Sequence, residues 1–201
     1  MNILAHALLG AATDDLMLGN MMGDFVHGTV PTGLRPDVEA GIRLHRAIDV
    51  YTDSHEAVRE LRNGFAPPFR RYAGIILDIW FDHLLACDFT RWSGEPLADF
   101  SDRVMRLLHA HAGELPASMR NFVAYMARRG LPAAYADRAV IAQVFAGVAT
   151  RFARANPLAR ALEAVAVNEA AIAAGFAAFF PELRQFAASQ AKKTPPGGGV
   201  S

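Results

Sequence analysis

The chain has 201 residues, 52% of them hydrophobic and 20% charged, with acidic and basic side chains in balance. A chain of this length suits one domain that buries about 70% of its extended surface, and so apolar a composition excludes disorder over most of it. Zero net charge excludes a nucleic-acid binder that works through bulk positive charge, and a lone Cys87 excludes an internal disulfide or an all-cysteine zinc knuckle.

Apolar residues recur at helical spacing, strand-like alternation is scarce, and clusters of Pro and Gly punctuate the chain. The pattern predicts a short helix over 2–11 and helices over 15–27, 37–62, 69–88, 97–111, 117–129, 136–154 and 158–190. The fold class is all-α, one domain over 1–192, followed by a loose Gly-rich tail over 193–201. Asp14 and Asp15 read as an N-cap and a first-turn charge. The first twelve residues are apolar but carry His6 and no Lys or Arg, unlike a secretory leader. The longest uncharged stretches, 139–150 and 170–181, fall short of bilayer length, so a cytoplasmic protein without a membrane partner is expected.

Polar side chains interrupt several apolar stripes. In 37–62, Val38, Gly41, Ile42, His45, Ile48, Asp49 and Thr52 share one face, and Asp53 extends the polar row. In 69–88, the run from Tyr72 to Ala86 is apolar on nearly every side, yet holds Asp78, Asp82 and His83. Asp78 and Asp82 stand one turn apart, and two carboxylates that close call for a proton or a shared cation. Asn20 and Asp24 are likewise one turn apart in a stretch whose Gly19, Gly23 and Gly28 permit close approach of backbone or ligand. His6 interrupts the apolar start of the chain. A buried charge left alone costs several kcal/mol. Two readings satisfy these groups: a salt-bridge network with arginines such as Arg46, or an Asp/His site for a hard or borderline divalent cation. His27, His55, His109 and His111 read as solvated or structural.

The start Met-Asn-Ile-Leu-Ala-His6, the blocks Gly19–Gly28 and Gly41–Asp53, and Asp78-Ile-Trp-Phe-Asp82-His83-Leu-Leu together resemble the acyl carrier protein phosphodiesterase family. The resemblance is dense to about residue 90 and weaker to about 190. It implies an HD-like helical architecture and removal of the 4′-phosphopantetheine arm from holo acyl carrier protein. It also implies a need for Mn²⁺ or Mg²⁺. HD enzymes carry a tandem His-Asp pair, whereas Asp82-His83 is reversed, so that family's ligand set does not transfer directly.

On this reading Asp24, His45, Asp78 and Asp82 are the expected metal ligands, and His83 or Asp49 the acid or base. Asn20 and Arg46 would hold the phosphate, with His6 and Asp53 as spare or supporting groups. A metal suits the chemistry, because it acidifies water and neutralises phosphoryl charge. The partner implied is acidic, so exposed arginines such as Arg59, Arg62, Arg70, Arg71, Arg128 and Arg129 are candidates to meet it. A nucleotide phosphohydrolase of the HD type and a non-catalytic helical module that grips acyl carrier protein are the competing readings.

Overall fold

The centre of the molecule is helix α5, Ala73–Cys87, whose Ile76, Leu77, Ile79, Trp80, Phe81 and Leu85 are all buried. At about 1.5–3 kcal/mol for each large apolar side chain removed from water, this helix is a principal source of cohesion. It touches α1 (Ile3–Leu9), α4 (Glu56–Gly64), α9 (Arg138–Ala149) and α10 (Ala161–Lys193). The remaining helices are α2 (Asp14–Met22), α3 (Pro36–Ser54), α6 (Phe89–Ser93), α7 (Leu97–Ala110) and α8 (Ala117–Arg129). The computed structural model describes residues 2–193, and no strand occurs among them. The expected tail lies outside the described residues from 194 onward, while Lys193 ends α10.

Several boundaries differ from the sequence expectation; the helix predicted over 136–154, for one, runs only over Arg138–Ala149. The helix predicted over 37–62 is two helices broken at His55, which is extended. Thr52 Oγ1 and Ser54 Oγ turn back onto the carbonyls of Ile48 and Tyr51, a local competition that weakens the last turn of α3. The His55 ring then packs against Tyr51 and Phe179. The predicted helix 15–27 ends at Met22 and continues as a 3-10 turn, Gly23–Phe25. Its N-cap is Thr13, whose Oγ1 accepts from Leu16 N at 3.1 Å, so Asp14 and Asp15 both lie in the first turn.

By length and composition, α10 is apolar enough to cross a membrane, which the reading of shorter uncharged stretches did not anticipate. It is built as a core helix on one side: Ile172, Phe176, Phe179, Phe180 and Leu183 are buried, with ring contacts to Phe81 and Trp92.

The crossing of α2 and α3 sets up the site. A Cβ on Gly19 would lie 2.0 Å from the Val38 carbonyl oxygen, and one on Gly41 would lie 2.4 Å from that of Leu16. The two backbones therefore touch, and the residues one turn further along each helix are brought face to face.

Candidate active site

Four short pieces of chain meet at this crossing: α1 supplies His6, α2 supplies Asn20, the 3-10 turn supplies Asp24, and α3 supplies His45 and Asp49. Gly23 is the permissive residue. A Cβ there would fall 2.0 Å from His45 Cγ, so only glycine lets the imidazole lie against the turn. On its other side the His45 ring stacks on His6, with centroids 3.9 Å apart and planes inclined by 22°.

Asn20, fully buried, orients both rings. Its Nδ2 donates to the His6 carbonyl at 2.8 Å, which turns its Oδ1 toward His6 Nδ1 at 3.0 Å. Its backbone carbonyl accepts from His45 Nδ1 at 2.8 Å. Both imidazoles thus carry a proton on Nδ1, and in the neutral ring Nε2 is left with its lone pair, the arrangement that presents histidine to a metal. His6 Nε2 lies 3.2 Å from Asp49 Oδ1; His45 Nε2 lies 3.1 Å from Asp49 Oδ2 and 3.3 Å from Asp24 Oδ1. His6 Nε2 is buried and makes no hydrogen bond. Ligand atoms of His6, His45 and Asp49 all fall within 4.8 Å of one another. Two imidazole nitrogens and carboxylate oxygens form a donor set that fits a borderline or hard dication.

Electrostatics agree with this picture. Burial opposes a charge on His45, but the Asp24 and Asp49 carboxylates outweigh it and raise its pKa to about 9. Burial, reinforced by the neighbouring His45 charge, lowers that of His6 against the pull of Asp49. Asp49 and Asp24 would be raised by burial, yet the histidines beside them hold both below the ordinary carboxylate value. The cluster concentrates two carboxylates around one position that a proton on His45 fills, and that a cation can take in its stead.

The other expected site residues go elsewhere. Asp82 is fully buried, and its carboxylate caps α1: Oδ2 accepts from Leu4 N at 2.8 Å and Oδ1 from Ala5 N at 3.1 Å. Burial pushes its pKa up to about 7 against those two amides. The structure therefore uses Asp82 to pin the helix that carries His6 and does not bring it into the convergent group. His83 also stays out of that group: its Nδ1 donates to the Tyr135 carbonyl at 2.8 Å, and its ring packs on Trp80. Arg46 donates to the Val26 carbonyl at 3.0 Å, fixing the chain that leaves the 3-10 turn. Asp53 is exposed and pairs with Arg62. Asn20, expected at the phosphate, has its whole side chain on His6.

Asp24 also lines a cavity of about 880 Å³, together with Asp78. Its apolar wall comprises Ile3, Phe25, Ile75, Ile79, Phe122, Val144, Val148 and Phe152, and its polar groups include Tyr125, Tyr135 and Arg151. Sequence reasoning singled out none of the residues from the second half of the chain in this wall. They lie on α8, on the 3-10 turn before α9, on α9 itself and on the chain after it, and no local spacing joins the separate elements. The sets Ser118, Asn121, Phe122, Tyr125 and Val144, Gly147, Val148, Arg151, each at helical spacing, carried the signal that their side chains act together.

No solved structure matches this chain. An acyl carrier protein phosphodiesterase of Photorhabdus laumondii is 34% identical over 186 residues, 92% of this chain and 94% of that protein. One of Yersinia enterocolitica is 33% identical over 91% of this chain and 95% of its own. One of Escherichia coli O157:H7 is 33% identical over 95% of this chain and the whole of its own. Residues 1–183 match the sequence profile described as acyl carrier protein phosphodiesterase, and the chain belongs to that family.

Proposed function

We propose that this chain hydrolyses the phosphodiester of holo acyl carrier protein, releasing 4′-phosphopantetheine and leaving the apo protein with a free serine. In this reading His6, His45 and Asp49, with Asp24 beside them, hold a divalent cation, Mn²⁺ or Mg²⁺. When bound, such an ion acidifies water and neutralises charge on the phosphoryl oxygens. The observation that carries the proposal is the pair of imidazoles whose Nδ1 protons are committed to Asn20 and whose Nε2 atoms converge on carboxylates. The names of the relatives supply the substrate.

The chain's own residues then have distinct tasks. Asn20 and the stacking of His6 on His45 keep both rings in place, so little reorganisation is needed when a substrate arrives. Asp78, the other carboxylate on the cavity wall, is placed to take a proton from the attacking water and return it to the departing serine oxygen. The P–O bond to water forms as the P–O bond to serine breaks. The apolar cavity beside Asp24 receives the arm and keeps bulk water from it. Exposed arginines, among them Arg59, Arg70, Arg71 and Arg128, are the surface offered to an acidic carrier protein in the cytoplasm.

Mass spectrometry of holo acyl carrier protein incubated with the purified chain tests this. Loss of the phosphopantetheine mass with Mn²⁺, and its retention with a chelator, is the expected result. Persistence of the holo mass with Mn²⁺ present overturns it, and turnover of a nucleotide panel in its place favours the nucleotide phosphohydrolase reading.

A further inference from the structure

The cavity beside Asp24 is chemically divided by element. Its two acids, Asp24 and Asp78, come from the 3-10 turn and α5, whereas Ser118 and Asn121 come from the first turns of α8 and Arg151 from the chain just after α9. Ser118 and Asn121 project from the same helix face as Phe122 and Tyr125, so their polar groups stand beside aromatic surface. Neither side chain has a hydrogen-bond partner among the described residues, and the Arg151 guanidinium has neither an ion pair nor a hydrogen bond there. Arg35, Arg43, Arg62, Arg91, Arg103, Arg138 and Arg160, by contrast, all pair with carboxylates. Arg151, an exposed residue with no carboxylate partner among the described residues, is the one cation that those residues place in this wall, where the other charges they bring are the carboxylates of Asp24 and Asp78.

We infer that Ser118, Asn121 and Arg151 form the subsite for the phosphopantetheine arm, and that Arg151 is the residue that reads its phosphate. The inference deepens the proposed hydrolysis and rests on it for the identity of the ligand. The chemistry matches part by part. The arm carries amide carbonyls, which accept hydrogen bonds from a hydroxyl and a carboxamide, and a branched hydrocarbon segment that fits against Phe122, Val144 and Val148. Its phosphate is an anion that a guanidinium binds through two parallel hydrogen bonds. Two carboxylates in the same cavity would repel that anion, so a cation facing it has to come from the protein wall or from the metal cluster. Arg151 supplies the first of these.

The test separates the two sources by removing the metal. Isothermal titration in the presence of chelator, with 4′-phosphopantetheine and with pantetheine lacking the phosphate, reads the contribution of the phosphate to the wall alone. The wild-type chain is expected to bind the phosphorylated ligand about tenfold more tightly, the scale of one charge-assisted interaction. Arg151→Gln should bring the two affinities together while leaving that for pantetheine within twofold. The double variant Ser118→Ala, Asn121→Ala should weaken both ligands by the same factor and keep their ratio. Equal binding of the two ligands by the wild type, or an unchanged ratio in Arg151→Gln, overturns the assignment. A chain that keeps the phosphate-dependent ratio but leaves holo acyl carrier protein intact with Mn²⁺ supports the subsite and defeats the hydrolysis.

Discussion

Helices α3 and α5 carry the same kind of anomaly, an Asp and a His set into an apolar stripe, and the fold treats them in opposite ways. On α5, Asp82 faces the open N-terminus of α1 and His83 faces the carbonyl of Tyr135, so each meets a backbone group of complementary character. On α3, His45 Nδ1 donates to a backbone carbonyl, but its Nε2 faces two carboxylates, those of Asp24 and Asp49, and its ring stacks on a second imidazole, that of His6. Buried polar residues are stabilising when their partners are complementary and reactive when their partners are alike. The difference between an anchor and a site therefore lies in what the rest of the chain brings to the side chain, not in the side chain itself.

The widest separation between the two helices should come from exchanging their histidines for alanine. His45→Ala is expected to remove Mn²⁺ binding in titration calorimetry and to lower turnover of holo acyl carrier protein by about a thousandfold or more, the scale of losing a metal ligand. His83→Ala should leave turnover within about threefold and cost about 1–2 kcal/mol in urea unfolding, for the hydrogen bond to Tyr135. Asp82→Ala sharpens the contrast from the stability side. Two buried α1 amides lose their acceptor, and the loss in unfolding free energy should reach about 2–4 kcal/mol, with Mn²⁺ affinity falling because His6 is no longer pinned. A stability unchanged by this substitution would mean that α1 is held by its apolar contacts alone.

Titration reads the same contrast without a substitution. His45 binds its proton more tightly folded than unfolded, so its contribution to the stability of the metal-free chain is complete below about pH 6.5 and is lost as pH rises toward about 9. Asp82, raised to about 7 by burial, adds a loss in the same direction from about pH 4 to 7. Asp24 and Asp49 act oppositely, their contribution vanishing only as pH falls below about 4. Thermal unfolding of the metal-free chain should show stability declining from pH 6 to 9, by up to about 3 kcal/mol, and Mn²⁺ should flatten that decline.

Helix existence and the buried character of α5 were legible in the sequence because hydrophobic period and Pro/Gly breaks are local signals. The break at His55 was not, since it depends on two hydroxyls choosing helix carbonyls over solvent and on an aromatic shelf supplied by α10. For the site, the anomaly itself was readable: His6, Asn20, Asp24, His45 and Asp49 all stand out from apolar surroundings, and Gly19 and Gly23 announce close approach. Spacing could not tell that His6 belongs at the centre and Asp82 outside it. That outcome turns on α1 presenting its N-terminal amides to α5, a pairing across 78 residues with no trace in either segment.

That long-range pairing has a consequence for how the protein is made. Every convergent group, from His6 to Asp49, leaves the ribosome before α5, yet the carboxylate that seats the first helix is synthesised only at residue 82. The nascent chain therefore carries the convergent groups for a time without the strut that aligns them, and the cluster is assembled late although it is encoded early. Stalled chains ending at residue 70 should consequently hold Mn²⁺ far more weakly than chains extended beyond α5.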